Sequence, residues 1–141
     1  AFLEHGAAEG RMADIAVRLV TEEGHVLPLA VRRCDTFACR LRGLTFRRRL
    51  GNDEGLLFVE PAESRVGTAI HMFFVFFPIG VVWLDADGVV VDSVIARPFR
   101  PYYAPRAAAK YFVEGPPALV TWVQRGERLR MEPLDGPSSG A

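Results

Sequence analysis

Several residue types that mark specialised proteins are scarce in this sequence. The chain has 141 residues but only one lysine, Lys110, and two cysteines, and its 17 basic residues balance 17 acidic ones. A neutral chain has no overall field that would draw it to nucleic acid or to an anionic membrane, so any electrostatic attraction has to be local. Half of the residues are hydrophobic, which is typical of a globular protein with one core.

The two cysteines, Cys34 and Cys39, do not fit a metal site or a disulfide framework. They are five positions apart, whereas structural zinc sites use the spacing CxxC and secreted scaffolds use several pairs. We expect structural cysteines; a disulfide, or a reactive pair favoured by nearby arginines, are the alternatives. No phosphate loop or nucleophile elbow is present, so the sequence predicts no catalytic motif, no cofactor and no metal.

Long uninterrupted apolar runs are also missing. Residues 69–85 form the most apolar stretch, but His71, Pro78 and Gly80 interrupt it before it reaches the roughly 18 residues that a membrane span needs. The first eleven residues lack the basic start and apolar run of a secretory signal. We therefore expect a cytoplasmic protein without a transmembrane segment; a signal peptide already removed is the alternative.

The distribution of apolar residues indicates a single β domain over residues 14–133. Residues 1–13 are expected to be an N-terminal extension, disordered or not native to the protein, and residues 134–141 a flexible tail. Runs rich in β-branched residues predict strands at 14–20, 26–33, 56–60, two within 69–85, 89–96, 110–114 and 128–132.

Turn and capping residues refine this pattern. Pro28 predicts that the second strand of the first hairpin is an edge strand. Asp35 or Thr36 is expected to cap a short helix, and residues 118–124 fit either a helix or a strand. The predicted fold class is mainly β, a compact β-sandwich or partly closed barrel of about seven or more short strands with one or two short helices.

Two segments carry a resemblance to a known family. Residues 36–50 (TFACRLRGLTFRRRL), followed by residues 55–58 (GLLF), resemble the opening motif of the bacterial and archaeal domain-of-unknown-function family 192. Later elements keep the family's order, so the resemblance covers roughly residues 17–131. It implies a compact β-sandwich without a settled biochemical activity. The matching polar positions are Thr36, Arg40, Gly43, Arg47 and Glu114.

The sequence departs from that family's pattern at several polar positions. Cys39 replaces an acidic residue, Thr45 a methionine and Gly80 an aspartate. The family's Trp-Met-Lys-Asn-Thr run is His-Met-Phe-Phe-Val here, at residues 71–75. The resemblance therefore implies that this chain keeps the fold and has an apolar surface in place of a polar site.

Three groups of residues are candidates for function. Phe73, Phe74, Phe76 and Phe77 are either core residues or an exposed patch, because alternation along a strand would place Phe74 and Phe76 on one face. Residues 32–49 carry a local charge of +6, which indicates either a solvated helix face or an anion site. His71 is a core or edge histidine, with a catalytic base as the alternative.

These candidates lead to three functional hypotheses. The preferred one is a non-enzymatic binding domain for a small amphipathic or anionic ligand, or for a partner segment. Its apolar cleft is expected to be rimmed by Arg/Glu, with no sequence-specific nucleic-acid binding. The binding residues would be Arg40, Arg47, His71, Phe74, Phe76 and Glu114. The alternatives are a structural homodimer formed through an aromatic face and an uncharacterised enzyme using His71, Cys39 and Glu114.

Glu114 is the most informative of the candidate residues. It ends a predicted buried strand, where a carboxylate is costly unless a cation meets it, and the resemblance points to Arg40 or Arg47 as the partner. On that reading Glu114→Gln destabilises the fold by more than about 2 kcal/mol.

Overall fold

Seven β-strands form one curled sheet in the computed structural model, which describes residues 16–34 and 50–134. In chain order the strands are β1 (Ala16–Thr21), β2 (Ala30–Cys34), β3 (Glu54–Ser64), β4 (Ile79–Leu84), β5 (Val90–Ala96), β6 (Ala109–Gly115) and β7 (Leu129–Pro133). A 3₁₀ helix, Pro117–Thr121, lies between β6 and β7. The prediction of a mainly β fold is confirmed. Of the two predicted architectures, the sheet has that of a partly closed barrel.

The strand order brings the two edges of the sheet towards each other. The order is β5-β4-β6-β3-β2-β1-β7, and every pairing is antiparallel except that of β2 with β3. At one end the edges meet: Val90 N–H donates to the Glu127 carbonyl at 2.8 Å and Leu129 N–H donates to the Gly88 carbonyl at 2.9 Å. The sheet is therefore a half barrel that closes at this end.

Both faces of the sheet are covered by apolar side chains. Because side chains alternate along a strand, Val82 and Leu84 of β4 join one core cluster while Val81 and Trp83 join another. In the second cluster the rings of Phe58 and Phe112 stack at 4.5 Å. This second cluster also contains the buried residues of the loop between β3 and β4: Ile70, Met72 and Val75.

The prediction that Pro28 marks an edge strand is wrong. Strand β2 is interior, between β1 and β3, and it begins at Ala30, after the proline. The missing N–H of Pro28 therefore removes no hydrogen bond from the sheet. The predicted antiparallel pairing of the first two strands is confirmed, with Val17 opposite Val31.

The prediction of two core strands within residues 69–85 is also wrong. Only β4 forms a strand there; the preceding residues form a loop in which Val75 N–H donates to the Met72 carbonyl at 3.2 Å and Phe74 has φ +58°. That turn breaks the strand alternation expected for the phenylalanines. Met72 and Val75 are buried, whereas Phe73, Phe74 and Phe76 are exposed.

The remaining elements follow the prediction. Strands β5, β6 and β7 lie at the predicted positions, and a tight turn at Asp85–Gly88 joins β4 to β5. The ambiguous residues 118–124 include all of the 3₁₀ helix except its first residue, Pro117. The helix predicted from Asp35 or Thr36 falls outside the described residues, as do residues 1–15 and 135–141. Among the described residues, no helix has the length and apolar character to span a membrane.

Candidate binding surface

Two loops pair with each other over the second core cluster of the sheet. They are the β3–β4 loop and the β5–β6 loop, and their backbones exchange hydrogen bonds. Ile70 and Tyr103 donate to each other's carbonyls at 2.8 and 2.9 Å. Met72 N–H donates to the Arg100 carbonyl, and Phe99 N–H to the Met72 carbonyl, both at 2.8 Å. The paired loops therefore form one platform rather than two independent segments.

Buried side chains fix this platform to the sheet. Met72 is fully buried and Val75 almost so, both within the second core cluster. The Tyr103 hydroxyl accepts a hydrogen bond from Arg97 N–H at 2.9 Å, and Trp83 of β4 donates its indole N–H to the Thr68 carbonyl at 2.7 Å. The residues between these anchors consequently point outward.

The outward residues form a cluster of exposed rings. Phe99 meets Phe74 at a centroid distance of 6.2 Å and Phe76 at 5.6 Å, both edge to face. We call Phe74, Phe76 and Phe99 the aromatic patch. Their exposed fractions are 51, 51 and 49%, and Phe73 and Tyr102 add two further exposed rings on the same loops. Exposed apolar surface in a cluster of this kind commonly marks a contact site.

Two members of the aromatic patch have a strained backbone. Phe74 and Phe99 have φ values of +58° and +62°, and among the described residues no other non-glycine residue has a positive φ. The left-handed conformation costs a residue with a side chain about 1–2 kcal/mol. Since both rings stay half exposed, burial offsets this cost only in part. Strain of this kind is concentrated at functional sites.

Positive charge accompanies the aromatic patch. Arg97 and Arg100 are exposed on the β5–β6 loop, and neither forms an ion pair with a residue that the structure describes. Arg106 differs, since it pairs with Asp92 at 3.3 Å. Residues 65–84 and 93–113 contain no aspartate or glutamate. The platform therefore combines apolar rings with uncompensated cations.

His71 lies on the same platform, and its side chain accepts a hydrogen bond from the loop backbone. The side chain is exposed, and its Nδ1 accepts a hydrogen bond from Phe73 N–H at 3.3 Å. Its ring is 5.5 Å from that of Phe73. No hydrogen bond or ion pair joins it to Glu114. The described residues therefore do not bring together two of the three side chains of the enzyme hypothesis, and the third, Cys39, lies outside them.

Glu114 is buried in the centre of the sheet. It lies on β6 with Leu56 and Val81 directly opposite it on the two neighbouring strands. Only 8% of its surface is exposed, and burial raises the pKa of its carboxyl group to about 7. No described cation pairs with it. Arg40 and Arg47, the predicted partners, lie outside the described residues, so that pairing stays a prediction.

Cys34 ends β2 with its side chain fully buried. It is disulfide-bonded, which corresponds to the alternative that the sequence analysis ranked below free structural cysteines. Cys39 lies outside the described residues.

A polar cleft of about 390 Å³ lies near the start of β5, where the barrel closes, whereas the aromatic patch lies beyond the end of β5. Arg128 approaches Glu22 to 3.7 Å there, and Glu127 Oε1 is buried without a hydrogen-bond partner. Sequence reasoning missed this cleft because its residues come from two separate turns. The described lining residues are Thr21, Glu22, Glu23, Gln124, Arg125, Gly126, Glu127 and Arg128.

Sequence reasoning also missed Phe99, Arg97 and Arg100 as members of a site. The available signal was the segment RPFRPYYAP at residues 97–105, in which aromatic rings and arginines alternate with prolines. In the structure this segment belongs to the β5–β6 loop, and most of its residues are exposed. Its contact with the phenylalanines of the other loop depends on tertiary hydrogen bonds.

Comparison with known proteins identifies the family. The family model DUF192, described as an uncharacterized ACR, matches residues 18–131. The chain belongs to the DUF192 family. Among its relatives, the UPF0127 protein of Thermococcus kodakarensis is 39% identical over 107 residues, which are 74% of this chain and 66% of that protein. The UPF0127 protein of Pyrococcus furiosus is 36% identical over 109 residues, 76% of this chain and 90% of that protein.

Relative length and solved structures complete the comparison. The match spans just under two thirds of three Thermococcus DUF192 relatives, at 66, 62 and 64% of their lengths. A Sinorhizobium meliloti crystal structure, described as a candidate transcription regulator, superposes with a TM-score of 0.70 at 24% identity, covering 83% of this chain and 92% of that one. A Novosphingobium aromaticivorans protein of unknown function gives 0.65 at 21% identity, covering 82 and 83%. These similarities show the fold alone.

Proposed function

We propose that this DUF192 chain is a non-enzymatic binding domain whose aromatic patch takes an amphipathic anion, a group with an apolar part beside a negative charge. The observation that carries the proposal is the strain at Phe74 and Phe99. These two phenylalanines contact each other in a costly backbone conformation, and each keeps about half of its surface exposed. We infer that their exposed rings are held in this position to contact a ligand.

The positive charge around the aromatic patch indicates that the polar part of the ligand is an anion. Arg97 and Arg100 are exposed cations without a described ion-pair partner, and a guanidinium group holds a phosphate or carboxylate with two parallel hydrogen bonds. In this proposal Arg97 and Arg100 bind the anionic group, a role that the sequence predicts for Arg40 and Arg47. Glu114 is buried in the sheet, so in this proposal it supports the fold beneath the loops rather than the rim of a cleft.

The family resemblance agrees with an apolar ligand part. It places a polar triplet of the family at residues 73–75, where this chain has Phe-Phe-Val. Phe74, a member of the aromatic patch, is one of these residues. The apolar surface is therefore a departure of this chain from the family's pattern. It lies on the β3–β4 loop, in which Phe74 has a strained backbone.

The homodimer alternative is less favourable on electrostatic grounds. A twofold axis through the aromatic patch would bring Arg97 and Arg100 of one copy towards the same arginines of the other. Neither loop has a carboxylate to compensate for this repulsion. A partner with negative charge avoids the repulsion, so we favour an anionic ligand.

Calorimetric titration with dodecyl phosphate below its micelle concentration tests the proposal. Phe76→Asp should weaken binding by about tenfold or more, because it removes half-buried apolar contact and adds a repelling charge. Val26→Asp is the matched control, since Val26 is 52% exposed but lies in the β1–β2 loop, and it should bind as the unmodified chain does. Equal binding by all three proteins would exclude the aromatic patch as the site.

A further inference from the structure

We propose that the amphipathic anion is presented by the surface of a bilayer containing anionic lipid, on which the aromatic patch docks with its rings at the interface. This inference rests on the proposed function and names the source of its ligand. Three features of the two paired loops support a lipid surface: the backbone hydrogen bonds within and between them, their half-exposed rings, and two arginines without an ion-pair partner among the described residues.

The first feature is the state of the loop backbone. Five N–H groups of the two loops donate to acceptors within the protein. Met72 donates to Arg100, Phe73 to His71, Val75 and Phe99 to Met72, and Arg100 to Arg97. The hydrocarbon region of a bilayer offers no hydrogen-bond acceptor, so backbone amides that already donate within the protein can approach it at a lower cost. The same property leaves these amides unavailable to an added peptide strand, which argues against a protein segment as the partner.

The second feature is the placement of the rings. Each ring of the aromatic patch keeps about half of its surface open instead of lining an enclosed cavity, and Tyr102 is 62% exposed beside them. A small ligand is usually buried by most of its surface in a concave site. Rings that project side by side from two linked loops suit shallow insertion, since segments that bind at a membrane surface bury apolar side chains, phenylalanine among them, at the boundary between headgroups and acyl chains.

The third feature is the direction of the electrostatic attraction. The chain is neutral as a whole, so an anionic surface attracts it only where positive charge is concentrated. Arg97 and Arg100 provide this on the platform, and residues 65–84 and 93–113 carry no acidic residue that would be repelled. An arginine close to an anionic leaflet strengthens binding by about fivefold. The aromatic patch is thereby turned towards the membrane.

Cosedimentation with lipid vesicles tests this inference. We expect the unmodified chain to bind vesicles of phosphatidylcholine with about 30% phosphatidylglycerol more tightly than vesicles of phosphatidylcholine alone. The double variant Arg97→Gln with Arg100→Gln should lose about 25-fold on the anionic vesicles, two fivefold losses, and change little on the neutral ones. Phe76→Asp should lose about tenfold on both, whereas Val26→Asp should match the unmodified chain.

The outcomes separate this inference from the proposed function. Binding of dodecyl phosphate without binding of anionic vesicles overturns the membrane inference and leaves the proposed function standing. Failure to bind either probe overturns both. Binding of an acidic amphipathic peptide in place of the vesicles also overturns the membrane inference and indicates a protein partner. Because both arginines are exposed, their double variant keeps the test valid if Phe76→Asp does not fold.

Discussion

Replacing Glu114 by glutamine should remove a loss of stability that the unmodified domain undergoes as the pH rises. Burial raises the pKa of the carboxyl group from 4.5 to about 7, so the folded chain holds this proton more tightly than the unfolded chain does. The contribution of Glu114 to the free energy of unfolding is therefore highest below pH 4.5. It falls as the pH rises towards about 7, in total by about 3 kcal/mol, and then stays level.

Urea denaturation of the unmodified chain and Glu114→Gln at several pH values measures this effect. Glutamine has no proton to lose, so the variant should be close to the unmodified chain near pH 4.5 and more stable by about 3 kcal/mol at pH 8. Glu63→Gln, which changes an exposed carboxylate on β3, is the control for the other titrating groups. A variant destabilised at pH 8 would instead indicate a cation beside Glu114, as the sequence analysis predicts for Arg40 or Arg47.

Truncating Trp83 to alanine should have an effect of similar or larger size. The side chain is 1% exposed and belongs to the second core cluster. Loss of such a residue typically costs about 3–5 kcal/mol. Trp83→Phe keeps most of the ring but leaves the Thr68 carbonyl without its 2.7 Å hydrogen bond, which should cost about 1–3 kcal/mol.

This second prediction links the core to the binding surface. Thr68 lies in the β3–β4 loop that carries Phe74 and Phe76, so its bond to Trp83 connects that loop to the sheet. Denaturant melts give the stability of each variant. The matched control is Trp122→Phe, because Trp122 is a half-buried tryptophan directly after the last residue of the 3₁₀ helix. If Trp83→Phe is as stable as the unmodified chain, the hydrogen bond does not hold the loop in place.

Much of the fold was predictable because local signals agreed with tertiary structure. The Asp-Gly pair at residues 87–88 favours a tight turn between two strands, and in the hairpin of β4 and β5 Gly88 has φ +82°. The apolar run at residues 110–114 predicted β6. The two strands within residues 69–85 failed because an apolar run does not reveal a turn inside it, and the turn depends on the positive φ of Phe74.

The candidate site was less predictable than the fold. An exposed aromatic surface was one of two alternatives for residues 73–77, and the sequence could not decide between them because burial depends on what covers the loop. Phe99 reaches Phe74 and Phe76 only through hydrogen bonds between two loops that are distant in sequence. The burial of Glu114 was anticipated from its place after an apolar strand. The direction of its pKa shift was not, because that depends on whether a cation lies beside the buried carboxylate.

The most direct test of the account is an amide chemical-shift map of the ¹⁵N-labelled domain during titration with dodecyl phosphate. If the binding proposal holds, the shifts are confined to the β3–β4 and β5–β6 loops, with the largest at Phe74, Phe76 and Phe99. The side-chain Nε signals of Arg97 and Arg100 should move with them. Shifts centred on the polar cleft at the other end of β5, or no shifts at saturating probe, would contradict it.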